Sequence, residues 1–343
     1  MKALVLEDYN NLVYKDVANP EISSEEVLIK VMACGICGSD IHGLDGSTGR
    51  RIPPLIMGHE ASGIIARVGS DVRDWKAGDR VTFDSTVYSL NDWFTLKGKY
   101  NLSDNREVFG VSPGTYRRNG AFAEYVAVPR HILYHIPEKV TFEQAAMVEA
   151  AAVALHAVNL SGIRTGDSCT VLGAGTIGTF LIKLLRISGA GQIIAVDNDK
   201  TSRERALKAG ADSALAAEKD NLIERISEVT SSRGADISFE AVGRNETFNL
   251  AVDSVRKGGK VVLIGNISAL VDFPLQKAVT HELSILGSCA ICGEYEAILQ
   301  LIDRGRLKID DQIYATAPLS EGAEWFRKLY MMDSNPGKVI LIP

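Results

Sequence analysis

The sequence predicts an α/β protein in which a β-rich, mostly antiparallel domain is joined to a doubly wound parallel sheet. Short strand-like runs broken by Gly, Pro and Asp fill the chain to about residue 150. From about residue 168, helices alternate with continuously apolar strands, as in a buried parallel sheet. With 343 residues, the chain is long enough for two domains.

Each predicted element can be read from a run of residues. The strand-like runs of the first part are ALVLE, EEVLIKVMAC, ASGIIARVG, DRVTFD and AFAEYVAVP. An apolar helix follows, for which Thr141 is the predicted N-cap and Glu143 lies in the first turn. The alternating part has the strands CTVLG, QIIAVD, DISFEAVG, KVVLIG and LSILGS, and the chain ends with a helix and the strand GKVILIP. We expect residues 150–287 to form an inserted domain, and residues 1–149 to be completed by 288–343.

Composition excludes several classes of protein. The net charge of −6 and the pI of about 5.6 argue against nucleic acid as a partner, because phosphate contacts need a basic surface. The longest apolar run is too short to span a bilayer, and no signal peptide is visible. Five cysteines, an odd number, fit a reduced thiol set. These features indicate a cytoplasmic protein that uses neither membrane nor nucleic acid.

A glycine-rich loop follows the first strand of the alternating part. The stretch VLGAGTIGTF places Gly173, Gly175 and Gly178 in the spacing G-x-G-x-x-G, with Thr176 and Ile177 between the last two glycines. A strand precedes this loop and a helix follows it, which is the context that a dinucleotide fingerprint requires. The pyrophosphate of a cofactor would lie at the positive N-terminus of the helix.

An acidic residue stands where this fingerprint needs one. Asp197 comes at the end of the next strand, where a carboxylate binds ribose hydroxyls and repels a 2′-phosphate. The sequence therefore predicts NAD rather than NADP as cofactor. Lys200 and Arg203 lie nearby and weaken this preference slightly, although we interpret them as a solvated helix face.

The pair Cys34 and Cys37 allows three interpretations. A closed structural zinc site could be completed by Cys289 and Cys292, but those residues are far outside the usual spacing. A redox dithiol would need a helix start in a thioredoxin-like setting, whereas the surroundings here are β-rich. The third interpretation is an open zinc site with one cysteine ligand.

The third interpretation uses residues close in sequence and one that is distant. His59 and Glu60 follow Cys37 in the chain, and Glu149 lies in an apolar stretch, where a carboxylate is costly unless it is paired or binds a metal. Each also has an ordinary explanation: a satisfied core histidine for His59, a solvent-facing helix residue for Glu149, and a small buried residue for Cys34.

Taken together, these residues resemble the zinc-dependent medium-chain dehydrogenase/reductase family over essentially the whole chain. The stretch CGICGSDIH is similar to the family's first-ligand motif. The family's zinc signature is matched by Gly58, His59, Glu60, Gly63, Gly69 and Val72. The resemblance implies a GroES-like β-rich catalytic domain and a Rossmann NAD-binding domain.

The resemblance also implies roles for individual residues. Cys37 and His59 match zinc ligands. Glu60 and Glu149 match carboxylates that bind the metal in polyol-type members, and the choice between them as third ligand stays open. Asp40 matches the carboxylate that orients the zinc histidine.

The implied reaction moves a hydride from a secondary alcohol, a polyol in particular, to NAD. A zinc ion acts as Lewis acid on the alcohol. Ser39 and His42 match the residues that carry the alcohol proton to solvent by way of a cofactor ribose hydroxyl. The family also implies a homo-oligomer, a tetramer or a dimer, with the strand near 283–287 as a candidate contact.

One stretch departs from the family pattern. Many members carry a lobe with four cysteines that binds a structural zinc, and the matching positions here are Ser89, Asp92, Thr95 and Ser103. We therefore expect one catalytic zinc per subunit and no structural zinc. Polyol dehydrogenases of the sorbitol type also lack this lobe metal.

Substrate specificity is open at this level. The arginine pairs Arg50-Arg51 and Arg117-Arg118 would suit a phosphorylated polyol, although we favour solvent-facing charge for them. The sequence is also compatible with a threonine or amino-alcohol dehydrogenase and with a non-catalytic relative. Aromatic residues that could line a pocket, or pack in the core, are Trp93, Phe94, Tyr100 and Tyr116.

Overall fold

The computed structural model describes residues 1–112, 117–217, 221–332 and 336–343. Within these ranges the chain forms two compact units. The antiparallel unit comprises Met1–Glu149 together with most of the described chain after Ala290. The parallel unit comprises Ala150–Ala290.

The strands follow the predicted runs, and several short strands join them. In chain order the strands are β1 Lys2–Asp8, β2 Asn11–Asp16, β3 Glu26–Gly35, β4 Leu55–Ile56, β5 Glu60–Val68, β6 Arg80–Phe83, β7 Thr86–Val87, β8 Glu107–Val108, β9 Tyr125–Pro129, β10 Leu133–His135, β11 Ser168–Leu172, β12 Gln192–Val196, β13 Ser213–Leu215, β14 Ala235–Glu240, β15 Val255–Leu263, β16 Ser284–Gly287, β17 Ile313–Pro318 and β18 Lys338–Ile342.

The helices are mostly short, and none within the described ranges is long and apolar enough to cross a bilayer. In chain order the α-helices are α1 Gly38–Gly43, α2 Trp93–Leu96, α3 Phe142–Ala146, α4 Val148–Ser161, α5 Thr176–Ile187, α6 Lys200–Ala209, α7 Leu222–Val229, α8 Asn245–Ser254, α9 Leu275–Thr280, α10 Tyr295–Asp303 and α11 Gly322–Met331. The 3₁₀ turns are Tyr100–Leu102, Arg130–Ile132, Asp310–Gln312 and Leu319–Glu321.

In the antiparallel unit, the main sheet has the strand order β10-β6-β5-β3-β18-β17, and β9 also pairs with β3. Its pairings are antiparallel except that of β17 with β18. Register places Gly35 of β3 opposite both Glu60 of β5 and Ile340 of β18. The end of β3 therefore lies between the beginning of β5 and the middle of β18, in the interior of the sheet.

In the parallel unit, the strand order is β13-β12-β11-β14-β15-β16, with parallel pairing throughout. Chain order runs outward in both directions from β11 and β14, so the topological switch lies between their carboxyl ends. In doubly wound sheets, ligands bind at such a point. The fold class predicted from strand-helix alternation is confirmed for this unit.

Each unit has its own apolar core. In the antiparallel unit the core is built around fully buried apolar side chains from its sheets and the segments packed on them, including Leu4, Leu6, Ile29, Phe83 and Phe122. In the parallel unit the core lies between the sheet and helices α7 and α8, and it includes Leu172, Ile194, Val196, Ile226 and Phe248. The units thus have separate apolar clusters of the kind expected for two domains.

The helix predicted after the β-rich part is two helices. Thr141 caps α3 as expected, since its Oγ1 accepts the N–H of Gln144 at 3.2 Å and the Gln144 side chain accepts the N–H of Thr141 at 3.0 Å. Helix α3 ends at Ala146 with Met147 as its C-cap, and α4 begins at Val148. Glu149 consequently lies in a first helical turn, where the helix dipole favours a negative charge.

The segment 89–104 contains the four positions at which the sequence resemblance predicts no structural zinc. Its Asp92 is the N-cap of α2: Oδ1 accepts hydrogen bonds from the N–H groups of Phe94 at 2.8 Å and Thr95 at 3.2 Å. The other oxygen, Oδ2, accepts the N–H of Asp104 at 3.1 Å. The carboxylate thus organises the lobe through backbone hydrogen bonds.

Tyr100 ties this segment to the sheet. Its hydroxyl donates to Oδ2 of the fully buried Asp84 at 2.9 Å and accepts the N–H of Gly293 at 2.7 Å. Its ring stacks on Tyr88 with centroids 4.2 Å apart. Burial raises the pKa of Asp84 to about 7, although the N–H of Thr86 and the Tyr100 hydroxyl hydrogen-bond to the carboxylate and oppose this rise.

We expect an Asp84→Asn variant to lose a pH dependence of stability that the wild-type protein shows. The folded-state pKa of about 7 lies above the ordinary value of 3.8, so the stabilising contribution of this carboxyl is complete below the ordinary pKa and is lost as pH rises through the folded one. Between about pH 5 and 7.5, the free energy of unfolding of wild type should fall by roughly 2.5 kcal/mol relative to the variant.

Urea denaturation followed by tryptophan fluorescence measures this difference. All three tryptophans, Trp75, Trp93 and Trp325, lie in the antiparallel unit, so their signal reports on that unit. A difference between the two proteins that stays constant across this pH range would contradict the expectation. Other buried carboxyls titrate in both proteins and cancel in the comparison.

Candidate functional site

Three side chains with different donor atoms meet at the point where β3 ends and β5 begins. The ligand-type atoms of Cys37, His59 and Glu60 all lie within 4.8 Å of one another. Among the described residues, this is the group of Cys, His, Asp and Glu side chains placed closely enough to hold a metal ion. His59 and Glu60 are buried, whereas Cys37 is partly exposed.

Local structure explains how these residues converge. Cys37 follows β3 and is the N-cap residue of α1, and Glu60 is the first residue of β5. Gly58, just before His59, has a φ of +95°, and a Cβ there would lie 2.9 Å from the ring of Phe122. The chain can therefore turn into β5 with His59 directed at Cys37 only because residue 58 is glycine.

Glu149 lies nearby but outside this group of three. It is buried, and its Oε1 accepts a hydrogen bond from Ser85 Oγ at 2.9 Å. Burial raises the pKa of Glu149 to about 7, the charge of His59 opposes this rise, and the charge of Glu60 adds to it. The fourth predicted ligand thus stands within electrostatic range of the group and is held by a serine.

Lys338 supplies a positive charge that the sequence did not single out. Its Nζ lies 2.7 Å from the Glu60 carboxylate, and both side chains are almost fully buried at 4% and 1% exposure. Burial lowers the pKa of Lys338, but the neighbouring Glu60, Cys37 and Glu149 together outweigh this effect and raise that pKa above its ordinary value. Gly35 makes room, because a Cβ there would lie 2.5 Å from Glu60 Oε2.

The donor set fits a zinc ion. Burial raises the pKa of the Cys37 thiol to about 12, and the neighbouring Glu60 adds to that rise. A divalent cation reverses such a shift, because it binds the thiolate directly. The Glu60 carboxylate has Lys338 Nζ at 2.7 Å, and His59 Nδ1 lies 3.5 Å from Asp40 Oδ1, so a charged or polar neighbour supports each of these two groups. Sulfur, imidazole and carboxylate ligands together are typical of an open zinc site.

A short polar chain surrounds the three residues. Asp40 is fully buried; its Oδ1 lies 3.5 Å from His59 Nδ1, and its Oδ2 accepts the N–H of Cys37 at 3.4 Å. Ser39 Oγ donates to Cys37 Sγ at 3.3 Å. His42, on the same short helix α1, is exposed. The structure therefore brings Ser39 and Asp40 to the group and leaves His42 at the surface.

The glycine loop adopts the conformation that its motif predicts. Gly173 has a φ of +88°, Gly175 is the N-cap of α5, and Thr176 and Ile177 open that helix. A Cβ on Gly178 would lie 1.8 Å from Gly173 O, so no other residue fits there. The first backbone N–H groups of α5 have no acceptor within the helix and can bind an anion.

Asp197 lies against this loop. Its Oδ2 accepts the N–H of Ala174 at 2.7 Å, and its Oδ1 accepts the N–H of Asp199 at 2.8 Å. Arg203 donates to the carbonyl oxygens of Asp197 at 2.7 Å and Asn198 at 2.6 Å. Lys200 is 82% exposed and pairs with Glu204. The carboxylate, and neither of these cations, faces the glycine loop.

The arginine pairs have other partners than those we expected. Arg51 is 2% exposed and binds Asp40, so our interpretation of it as solvent-facing charge is wrong. Arg118 bridges Glu26 and Glu107 at 2.7 and 2.9 Å. The carboxylates of this chain thus already engage one arginine of each pair. Trp93 is 64% exposed, and Tyr116 lies outside the described residues.

Sequence reasoning missed Lys338, Ser85 and the role of Arg51. Lys338 had a usable signal, since it is the one charge in the apolar strand Lys338–Ile342, and a buried charge requires a partner. Ser85 and Arg51 had none, because their partners are distant in sequence and surface serines and arginines are common.

Comparison with known proteins agrees with this geometry. The zinc-binding dehydrogenase family model matches residues 176–304, and the alcohol dehydrogenase GroES-like domain model matches residues 23–138. The chain is 31% identical to sorbitol dehydrogenase of Bacillus subtilis (strain 168), over 100% of this chain and 97% of that protein. It is also 31% identical to D-arabitol-phosphate dehydrogenase of Enterococcus avium, over 97% of this chain and 94% of that protein.

A solved structure is similarly close. A zinc-binding dehydrogenase of Sinorhizobium meliloti 1021 bound to NADP superimposes with a TM-score of 0.90 at 32% identity, covering 100% of this chain and 99% of that one. The expected GroES-like and Rossmann folds are confirmed by these matches. The chain is an oxidoreductase that belongs to the zinc-dependent medium-chain dehydrogenase/reductase family.

Proposed function

We propose that the protein oxidises a secondary hydroxyl of a polyol, or of another secondary alcohol, to the ketone with NAD as hydride acceptor. One zinc ion per subunit would be held by Cys37, His59 and a carboxylate. The observation that carries this proposal is the cluster of sulfur, nitrogen and oxygen ligand atoms within 4.8 Å, directly beside the hydroxyl of Ser39.

The residues around the cluster have distinct roles in this proposal. Bound zinc supplies Lewis acidity that favours loss of the substrate hydroxyl proton. Ser39 Oγ would accept that proton and pass its own hydroxyl hydrogen on, by way of a ribose hydroxyl of the cofactor, to the exposed His42, which releases a proton to solvent. Asp40 orients His59 through Nδ1, which leaves Nε2 as the nitrogen for the metal.

The third ligand is a carboxylate, either Glu60 or Glu149. Glu60 belongs to the compact group, but its carboxylate also pairs with Lys338. Glu149 accepts a hydrogen bond from Ser85. Because burial raises the pKa of its carboxyl, the ionised form is costly unless a positive charge lies beside it. We propose that both carboxylates serve the same ion, Glu60 inside the group and Glu149 beside it.

NAD is the proposed cofactor because of the charges around Asp197. Its carboxylate and that of Asp199 would repel a 2′-phosphate, and Arg203 is directed at backbone carbonyl oxygens. The NADP bound to the related structure is a property of that protein. Initial rates with each cofactor at equal concentration test this preference.

An Asp197→Ala variant should raise KM for NAD by about 10–100-fold, because a charge-assisted hydrogen bond of roughly 1.5–3 kcal/mol is lost. Its preference for NAD over NADP should shrink, because the repulsion of the 2′-phosphate is also lost. Steady-state kinetics with both cofactors measure these changes.

Asp199→Ser is the matched control, because a serine keeps the N-cap of α6 while removing a neighbouring carboxylate. Its KM for NAD should stay within about fivefold of wild type. If the two variants behaved alike, general electrostatics rather than ribose binding would explain the effect.

The polyol preference follows from the relatives. Sorbitol is a free hexitol and arabitol phosphate a phosphorylated pentitol, so the named substrates share a chain of secondary hydroxyls. A phosphorylated polyol is the second candidate, and D-arabitol-phosphate dehydrogenase favours it. The engagement of Arg51 and Arg118 by carboxylates counts against it, because paired arginines would otherwise be the phosphate site.

Initial NADH formation across a substrate panel distinguishes these candidates. The panel contains free hexitols and pentitols, their 1-phosphates, threonine and simple secondary alcohols. Preference for one free polyol supports the leading proposal, whereas preference for a phosphorylated polyol supports the second. Turnover of threonine alone would overturn both while leaving the zinc chemistry intact.

The assembly proposed here is a homo-oligomer in the cytoplasm, a tetramer or a dimer. Strand β16 lies at one end of the parallel sheet, and an open strand edge invites pairing with another chain. The side chains shortly before it include the exposed Leu270, Phe273, Leu275 and Val279. A second copy would cover both features, and light scattering after size exclusion tests this arrangement.

A further inference from the structure

Arg51 is a buried cation that reaches two residues of the site at once. Its guanidinium nitrogen Nη2 donates to Asp40 Oδ1 at 2.7 Å and to Ser39 Oγ at 3.0 Å. A guanidinium NH₂ group carries two hydrogens, so one atom can serve both acceptors. Arg51 is 2% exposed, so it is a buried charge and not a solvated surface residue.

The two acceptors lead to different parts of the site. Asp40 contacts His59 Nδ1 through one oxygen and the N–H of Cys37 through the other. Ser39 donates its hydroxyl hydrogen to Cys37 Sγ at 3.3 Å. A single side chain thus supports Ser39 and Asp40, both of which hydrogen-bond to Cys37.

The local backbone is shaped to admit this arginine. Gly43 ends α1, and a Cβ there would lie 3.0 Å from both Cγ and Cδ of Arg51. Asp40 is fully buried, and a buried carboxylate requires a compensating charge held in fixed geometry. The stem of the arginine occupies the space that glycine leaves, and its head supplies that charge.

We propose that Arg51 is a positioning residue for both the metal centre and the start of the proton path. By fixing Asp40, it orients His59 and the backbone of Cys37 toward the metal. By donating to Ser39 Oγ, it fixes the position of the serine beside Cys37 and leaves one lone pair for the substrate proton. As that proton arrives, the hydroxyl passes its own hydrogen on along the path that ends at His42, so Ser39 stays neutral. This inference rests on the proposed zinc chemistry.

Lysine cannot reproduce this arrangement fully. An ammonium group on a flexible stem is a point charge, whereas the planar guanidinium offers hydrogens in fixed directions. An Arg51→Lys variant should therefore keep the charge near Asp40 but lose the geometry at Ser39. An Arg51→Met variant should lose both and keep most of the volume of the stem.

Arg118 provides a matched control. It is also largely buried and binds two carboxylates, Glu26 and Glu107. Glu26 begins β3, whereas the metal centre lies beyond the other end of that strand, roughly 30 Å away for ten residues. An Arg118→Met variant therefore removes a comparable ion-paired arginine remote from the site.

The experiment measures zinc affinity by chelator competition on the purified full-length proteins, then kcat, KM and the solvent deuterium isotope effect at saturating zinc. We expect Arg51→Met to weaken zinc binding by about 10–100-fold, as loss of support around a metal ligand does. At saturating zinc, kcat should fall more than KM for NAD rises, and the isotope effect should increase. Arg51→Lys should recover zinc affinity in part, and Arg118→Met should lower the melting temperature alone.

If Arg51→Met fails to fold, Gly43→Ala provides the same test, because its Cβ displaces the arginine stem without removing the charge. It should weaken zinc binding and lower kcat in the same direction, by less. If the Arg51 variants kept wild-type zinc affinity and kcat and showed only a lower melting temperature, this inference would be wrong while the proposed function would stand. A wild-type protein that binds no zinc would overturn the proposed function, and this inference with it.

Discussion

A Cys37→Ala variant is expected to lose tightly bound zinc and nearly all dehydrogenase activity. The thiolate supplies one of about four ligand interactions, and zinc sites bind with roughly 10–16 kcal/mol in total, so one ligand contributes about 3 kcal/mol. The zinc Kd should rise by about 10²–10³-fold, and kcat/KM should fall by at least that factor. Metal analysis after dialysis, together with steady-state kinetics, measures both quantities.

Cys34→Ala is the control that the chain itself provides. Cys34 lies in the same motif and is fully buried, and burial raises the pKa of its thiol well above the ordinary value. The Cys34→Ala variant should keep zinc and activity, while its free energy of unfolding falls by about 1–2 kcal/mol because packing is lost. If Cys34→Ala lost zinc, or Cys37→Ala kept it, the assignment of Cys37 as ligand would be wrong.

The same measurements distinguish the two carboxylates. Glu60→Gln and Glu149→Gln keep side-chain volume and remove charge, so a change in zinc Kd reports ligation or electrostatic support. If both carboxylates serve the ion, each variant should weaken zinc binding by at least about tenfold. A Glu149→Gln protein with wild-type zinc affinity and turnover would remove Glu149 from the centre.

A Lys338→Met variant is expected to lose about 3–5 kcal/mol of unfolding free energy in the zinc-free protein, because it leaves a buried carboxylate without its partner. The pair joins Nζ to the Glu60 carboxylate at 2.7 Å, with both side chains buried, so solvent screening does not reduce the effect. Urea denaturation followed by tryptophan fluorescence reports on the antiparallel unit that holds the pair.

Zinc should change the size of this loss. Because a cation at the centre supplies positive charge close to Glu60, the zinc-loaded variant should be less destabilised than the zinc-free one. The double variant Lys338→Met/Glu60→Gln should recover much of the lost stability, since no uncompensated charge remains.

Lys328→Met removes a lysine from an exposed pair with Glu324, whose side chains are 48% and 52% exposed. It should change the free energy of unfolding by less than about 1 kcal/mol. A Lys338→Met protein no less stable than this control would show that the buried pair does not hold Glu60.

Local pattern accounts for much of the fold. The switch from short β-rich runs to strand-helix alternation predicted both sheets, because side-chain periodicity reflects which faces are buried. Thr141 was predictable as an N-cap, since a capping box lies within four residues. The break at Met147 was not, because the apolar pattern continues across it and propensity alone does not end a helix.

Cys37, His59, Glu60, the glycine loop and Asp197 could be named from the sequence alone, because each lies in a short motif whose spacing reflects its chemistry. Tertiary structure alone decided that Lys338 faces Glu60, that Arg51 serves Asp40 and Ser39, and that Ser85 holds Glu149. These partners are joined by strand register and by the burial of charge. Register is set by pairing between segments far apart in the chain, and burial by the packing of a whole unit, so neither can be read from a local pattern.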